Sequence, residues 1–359
     1  MVPSAYVHIP FCDSICAYCD FVRIQKNEQF FSSWKEKLIQ EIQEYKISNL
    51  HTLYFGGGTP SVLSVDDFTS IRNCFPKDID EFTVECNPES LDEEKLASYI
   101  SLGVNRISLG VQSFNDDLLK VCRRRHTSNQ AKKVIRWIQE SGIHNFSIDL
   151  IFGLPNQTME DVKRDIFTFL SLDIPHLSIY SLQIEENSIF GKTGVEPCDP
   201  DLEADMFEYI TKTLEAAGYI HYEISSFCKP GYYSKHNLAY WQGKDFYGFG
   251  CGASGRLDGI RYDNTTSLKK YCLKGPCSTY IPEPLSERGM DAIMMALRTK
   301  FGLNIREWNL KYQNDFKNHY ATVLDMYREY FCFEGECIYL NDAGLEILNT
   351  ILVDFMMIE

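Results

Sequence analysis

Six short runs rich in β-branched and aromatic residues alternate with longer amphipathic stretches through the first half of the chain, and this order constrains the fold most. The runs are AYVHI (5–9), HTLYF (51–55), EFTVE (81–85), NRISLG (105–110), NFSIDLI (145–151) and HLSIYSL (176–182). Between them, EQFFSSWKEKLIQEIQEYK (28–46), LDEEKLASYISLG (91–103) and QAKKVIRWIQESG (130–142) read as helices, the last two closing at Gly103 and Gly142. Consecutive βα units wound in one hand predict a parallel α/β sheet, either doubly wound or an incomplete TIM-like (β/α)6 barrel. Periodicity does not choose between them.

The loop EENSIFGKTGVEPCDPD (185–201) ends the alternation and divides the chain into residues 1–200 and a smaller domain, 201–359. The second part opens with a helix (202–217) and an aromatic, glycine-rich region (219–262). It ends with a hairpin-like YFCFEGECIYL (330–340) and the helix AGLEILNTILVDFMM (343–357), predicting a mixed, mainly helical domain with a winged-helix-like unit.

A formal charge of −15 and a pI near 5.0 speak against sequence-independent nucleic-acid binding, which rests on Lys and Arg neutralising phosphates. No apolar run approaches the roughly 18 residues of a transmembrane helix. Met1 leads directly into SAYVHIPFC, without the pattern of a secretory leader. Thirteen cysteines, an odd number, fit free thiols in a reducing cytoplasm better than a disulfide framework.

Chemistry-bearing residues collect where the predicted strands end. Cys12, Cys16 and Cys19 follow the first run, and three thiolates on one loop can each take one iron of a cubane cluster, leaving the fourth iron open. A structural zinc site is the competing reading, with His8 as its fourth ligand. Gly56, Gly57 and Gly58 follow the second run and let backbone approach a ligand closely. Glu85, Gln112 and Asp149 stand at or near the next three ends. Singly, each reads as a turn, cap or solvated residue. In a parallel sheet, however, all these ends open on one face, where ligands bind.

The strings CDSICAYC and GGGTP resemble the cluster and methionine-binding motifs of radical S-adenosylmethionine (SAM) proteins. YVHIPFC, ECNPE, GVQSF and IDLIFGLPNQT are similar to one branch, which holds the oxygen-independent coproporphyrinogen III oxidases and the HemW-type haem chaperones. The resemblance runs from Tyr6 through the final helix. It implies a [4Fe-4S] cluster on Cys12, Cys16 and Cys19, with SAM on the fourth iron, as the source of a 5'-deoxyadenosyl radical. It further implies that Tyr6, Gly57 and Glu85 contact that SAM. Tyr18, Gly58, Thr59, Gln112, Arg124 and Asp149 match a second SAM position of the oxidases. Arg124 lies in CRRRHT, which reads equally well as a solvated basic helix end.

Two departures separate this chain from the oxidases. Their fourth closely spaced cysteine is replaced by Phe21, and only eleven residues precede Cys12, where they carry an extension. The chaperone branch has an HNxxYW motif, present here as His236, Asn237, Tyr240 and Trp241. From the residues alone this is a packed aromatic corner around a hydrogen-bonded histidine; the resemblance makes it a haem-binding motif. The implied function is a cytoplasmic chaperone that hands haem to haem-requiring proteins. It carries no membrane span, and peripheral contact with a membrane is compatible with that role. The alternative is the oxidase itself. Among the remaining thiols, the pairs Cys272/Cys277 and Cys332/Cys337 are weak metal-site candidates and buried thiols the default.

Overall fold

The computed structural model describes residues 3–358. Six strands run parallel in chain order: β1 (Ser4–Ile9), β2 (Thr52–Gly57), β3 (Glu81–Cys86), β4 (Arg106–Gln112), β5 (Asn145–Phe152) and β6 (His176–Ser181). The helices between them are α1 (Glu28–Glu44), α2 (Val65–Arg72), α3 (Glu93–Ser101), α4 (Asp116–Val121), α5 (Ser128–Glu140) and α6 (Met159–Ser171). Asn27, Ser64, Asp92, Thr127 and Thr158 begin five of these helices, each side chain accepting a first-turn amide N–H. Such a cap contributes about 1 kcal/mol. Gly103 and Gly142 follow α3 and α5 with φ of +90° and +89°, as helix C-caps require.

The pleat sorts these strands into two unlike faces. Val7, Ile9, Leu53, Phe55, Phe82, Val84, Ile107, Leu109, Ile148 and Leu177 point outward into one apolar core beneath the helices. Their alternates, Tyr6, His8, Thr52, Tyr54, Thr83, Glu85, Arg106, Ser108, Ser147, Asp149, His176, Ser178 and Tyr180, make the other face polar. A register shift between Gly110 and Gln112 turns the end of β4 toward that polar face.

The sheet does not end with these strands. After α7 (Pro200–Ala216), the antiparallel pair β7 (Ile220–Glu223) and β8 (Ser226–Cys228) joins the β6 edge. Beyond α8 (Lys235–Trp241), β9 (Phe246–Phe249) pairs parallel with β1. It continues antiparallel into β10 (Ser254–Leu257), β11 (Ile260–Asp263) and β12 (Thr279–Pro282). The result is an open twelve-stranded sheet in the order β12-β11-β10-β9-β1-β2-β3-β4-β5-β6-β8-β7. The aromatic, glycine-rich region therefore supplies strands, and helices dominate only from α9 (Leu285–Ala296) onward.

That last part has its own core, with Ile293, Trp308, Phe316, Ile338 and Phe355 at its centre. A three-stranded sheet joins β13 (Leu303–Asn304), β14 (Phe331–Glu334) and β15 (Cys337–Leu340), and β14 and β15 are the hairpin expected around Gly335. This is a winged-helix-like order of elements. The expected closing helix divides at Ile347, leaving α10 as Leu348–Met356.

Phe55 is fully buried between Phe68 and Phe82, with ring centroids 5.1 Å from each. Phe55→Ala is expected to cost about 3–5 kcal/mol, because the helices cannot collapse into the space. Equilibrium denaturant unfolding measures this, and a loss below about 1 kcal/mol would contradict a tight outer core.

Candidate active site at the strand ends

The cysteine loop is pinned to the first two strands before any ligand is considered. Val22 O is 2.6 Å from His8 Nε2, Ile24 N–H donates to Pro10 O at 2.7 Å, and Lys26 N–H donates to Cys12 O at 2.8 Å. The other ring nitrogen, Nδ1 of His8, meets the Tyr6 hydroxyl at 2.9 Å. Both imidazole nitrogens are thus engaged, which removes His8 as a fourth zinc ligand. All thirteen cysteines are free thiols, and among the described residues no three His, Cys, Asp or Glu side chains are gathered closely enough for a single metal ion. Thiols that each serve a different iron do not need to meet at one point.

A continuous relay joins two of the three thiols across three other strand ends. Thr59 Oγ1 donates to Cys12 Sγ at 3.6 Å and accepts from Asn87 Nδ2 at 3.0 Å. Asn87 Oδ1 accepts from Arg124 Nη2 at 2.7 Å, and Arg124 Nη1 donates to Cys16 Sγ at 3.3 Å. Arg124 also donates to Gly110 O at 2.8 Å and lies 3.7 Å from Glu89. It is buried, whereas Arg123 and Arg125 are exposed, so of the three arginines only Arg124 faces the site. Tyr18 and Cys16 are close enough to hold its guanidinium firmly charged, against the opposing effect of burial. Burial pushes the Cys12 thiol up to about 12, so it keeps its proton until a metal displaces it.

The glycine run has a steric reason at each position. A Cβ on Gly56 would lie 2.9 Å from Glu85 Oε1, one on Gly57 2.5 Å from the His8 ring, and one on Gly58 2.7 Å from Phe11 O. Gly57 also has φ of +106°. Its amide donates to Glu85 Oε2 at 3.0 Å, while Gly58 N–H and Thr59 N–H donate to Ile9 O and Phe11 O, each at 2.8 Å. The run therefore shapes the cradle and orients Glu85 rather than presenting these three amides to a ligand.

Glu85 also accepts the Tyr54 hydroxyl at 2.7 Å. Burial pushes its carboxyl up to about 7, with the charge of Asp149 adding to the effect. Asp149 is held by Ser108 Oγ at 3.2 Å and is raised by burial to about 6. Gln112 has φ of +67°, and its Oε1 is buried without a partner among the described residues. This buried acceptor is open to a donor from a ligand. Tyr54 and Asn87 were missed in the sequence. Strand alternation places Tyr54 two residues before Gly56, on the face of Thr52; nothing local distinguishes Asn87.

His236, Asn237, Tyr240 and Trp241 lie on α8, and His236 does not reach an open surface. The ring is 1% exposed, with Nδ1 2.7 Å from Thr52 Oγ1 and Nε2 2.7 Å from the Tyr240 hydroxyl. It stacks on Tyr54 with centroids 4.9 Å apart. Glu81 accepts the backbone N–H groups of Lys235 and His236 at 3.1 and 2.9 Å, fixing the N-terminus of α8 to β3. In this structure the imidazole is a packed strut with both nitrogens engaged within the protein, so a haem-ligating His236 would have to give up its Thr52 or Tyr240 contact.

The Radical SAM superfamily pattern matches residues 6–168. The heme chaperone HemW of Lactococcus lactis subsp. lactis is 39% identical over 99% of this chain and 97% of its own length. The chain belongs to the HemW family of radical SAM proteins. A second member, from Bacillus subtilis, is 34% identical over 98% of this chain and 99% of its own. Among solved structures, coproporphyrinogen III oxidase (HemN) from Escherichia coli aligns with a TM-score of 0.86 at 19% identity, covering 99% of this chain and 90% of that one, so the two share a fold.

Radical SAM membership brings a [4Fe-4S] cluster and SAM as cofactors, and the residues present fit both. The free thiols carry the cluster's soft donors, and the glycine cradle, Glu85 and the unpaired Gln112 carbonyl suit a ligand bearing an amine and hydroxyls.

The His236 strut has a pH signature. Burial lowers its pKa from 6.5 to about 3, so folding favours the neutral ring. The stabilisation is complete above about pH 6.5 and falls away as the pH drops toward 3. His236→Gln should flatten the acid limb of stability relative to the unchanged chain in urea unfolding at pH 5 and 7.5. Parallel pH profiles would contradict a neutral buried imidazole.

Proposed function

We propose that this chain binds haem and delivers it to haem-requiring proteins, as the names of its full-length relatives indicate for them. The observation that carries this reading is the 39% identity to a heme chaperone over 99% of the chain. Oxidase-like catalysis has less support. Phe21, at the position of the oxidases' additional cysteine, is 67% exposed and offers the site an apolar ring in place of a thiol.

In this proposal Cys12, Cys16 and Cys19 hold the cluster, and Tyr6, Gly57 and Glu85 form the first SAM site. Tyr18, Gly58, Thr59, Gln112, Arg124 and Asp149 surround the second position. The cluster supplies one-electron chemistry when bound. The protein's part is to orient and insulate it: Thr59 and Arg124 donate to two of the thiols, and burial of Glu85 and Asp149 keeps a proton within reach near neutral pH. Residues 1–200 supply all of these groups, and 201–359 supply α8 and the outer strands that close the remaining sides. Among the described residues no helix is long and apolar enough to cross a membrane. Thirteen free thiols support a cytoplasmic setting.

One anaerobic experiment separates chaperone from oxidase. The reconstituted chain, given SAM, a reductant and coproporphyrinogen III, should form no protoporphyrinogen IX, yet should bind one equivalent of haem. Multiple turnovers to protoporphyrinogen IX would refute the chaperone reading.

A further inference from the structure

Glu85, at the SAM end of the polar face, and His236 of the HNxxYW motif meet on one side chain. Tyr54 on β2 donates its hydroxyl to Glu85 Oε1 at 2.7 Å, and its ring stacks on His236 with centroids 4.9 Å apart and an interplanar angle of 26°. Tyr6 stands beside it, with ring centroids 6.0 Å apart. Tyr240 approaches from α8: burial raises its phenol, and the charge of nearby Glu85 adds to the effect. Phenols from β1, β2 and α8 thus surround one carboxylate.

Glu85 has little room to move. Gly57 N–H donates to its Oε2 at 3.0 Å, and this amide belongs to a backbone held at φ of +106°. Gly56 leaves no slack beneath, since a Cβ there would lie 2.7 Å from Tyr54 Cε1 and 2.9 Å from Glu85 Oε1. A ligand hydroxyl that competes for Glu85 therefore acts on the partner able to yield, the Tyr54 hydroxyl. Close packing passes such a shift to the next ring in the stack.

That ring is His236, whose Nδ1 and Nε2 are each 2.7 Å from a hydroxyl, of Thr52 and Tyr240 respectively. Iron needs one of these nitrogens, so ligation requires the imidazole to leave its seat against Tyr54. The corner is not fully satisfied as it stands, because the Trp241 indole N–H is buried without a partner among the described residues.

We infer that Tyr54 is a positioning residue that couples SAM occupancy to haem ligation. SAM on Glu85 draws the Tyr54 hydroxyl away, the stack on His236 loosens, and the imidazole turns to iron at lower cost. The inference rests on the haem-carrying reading, with haem at the HNxxYW motif and Glu85 as a SAM contact. The chain would hold haem more firmly while SAM is bound and give it up more readily once SAM has left. Linkage makes the effect reciprocal, so haem must strengthen SAM binding by the same factor.

The test is an anaerobic absorbance titration of the full, cluster-reconstituted chain with haem, without SAM and with saturating SAM, and without reductant so that SAM stays intact. SAM is expected to tighten haem binding at least about fivefold, the lower end of ordinary coupling between sites. Tyr54→Phe keeps the stacked ring and removes only the hydroxyl. Its two haem affinities are expected to agree within about twofold, while SAM still alters the cluster spectrum, showing that it binds. A merely structural role would shift both affinities and leave their ratio at the value of the unchanged chain. Haem binding in the unchanged chain that is indifferent to SAM or weakened by it, or the full ratio retained in Tyr54→Phe, overturns the coupling. If the unchanged chain binds no haem at all, the haem-carrying reading itself fails.

Discussion

The structure depends on a division of labour between the two faces of its parallel sheet. The outer face buries a continuous apolar layer under the helices, and this burial, at about 25 cal/mol per Å² of apolar surface, is the main favourable term. Because the outer layer carries the stability, the inner face is free to be polar. A closed barrel fills its interior with bulky apolar side chains. Here the equivalent positions hold Glu81, Glu85, Arg106, Asp149 and His176, which need partners rather than packing. At the lower end α8 supplies some of them: Thr52 meets His236, and Glu81 receives the helix's first amides. At the upper end the orphaned Gln112 carbonyl leaves that demand open, where the strand ends gather the thiols and carboxyls.

The relay from Cys12 through Thr59, Asn87 and Arg124 to Cys16 explains why residues far apart in the chain behave as one site. Each bond is modest in isolation, yet in a buried setting neutral and charged donors strengthen one another and lock the loop's geometry. The same relay ties the cluster loop to Thr59 and Arg124, the residues proposed to surround the second SAM position.

Much of this was legible in the sequence because strand order and strand polarity are local properties. All six parallel strands stand where alternation placed them, and parallel topology brings Cys12, Gly57, Glu85, Gln112 and Asp149 to one end. What escaped notice depends on long-range contact. The edge strands from 220 to 282 are short and glycine-interrupted, so their β character comes from pairing with β1 and β6 rather than from their own pattern. Asn87 matters only because Thr59 and Arg124 flank it. The residues alone read His236 as a hydrogen-bonded histidine in a packed aromatic corner, but its partners Thr52 and Tyr240 are set by the fold and not by the motif.

The central claim is that three thiols leave one iron of a cluster open to SAM. The most direct measurement is the electron paramagnetic resonance spectrum of the dithionite-reduced, reconstituted chain with and without SAM labelled with ¹⁵N at its amino group and ¹⁷O at its carboxylate. A SAM-dependent change in the signal, with hyperfine coupling from the labelled atoms, is the predicted result. A spectrum indifferent to SAM, with no coupling, would contradict the account.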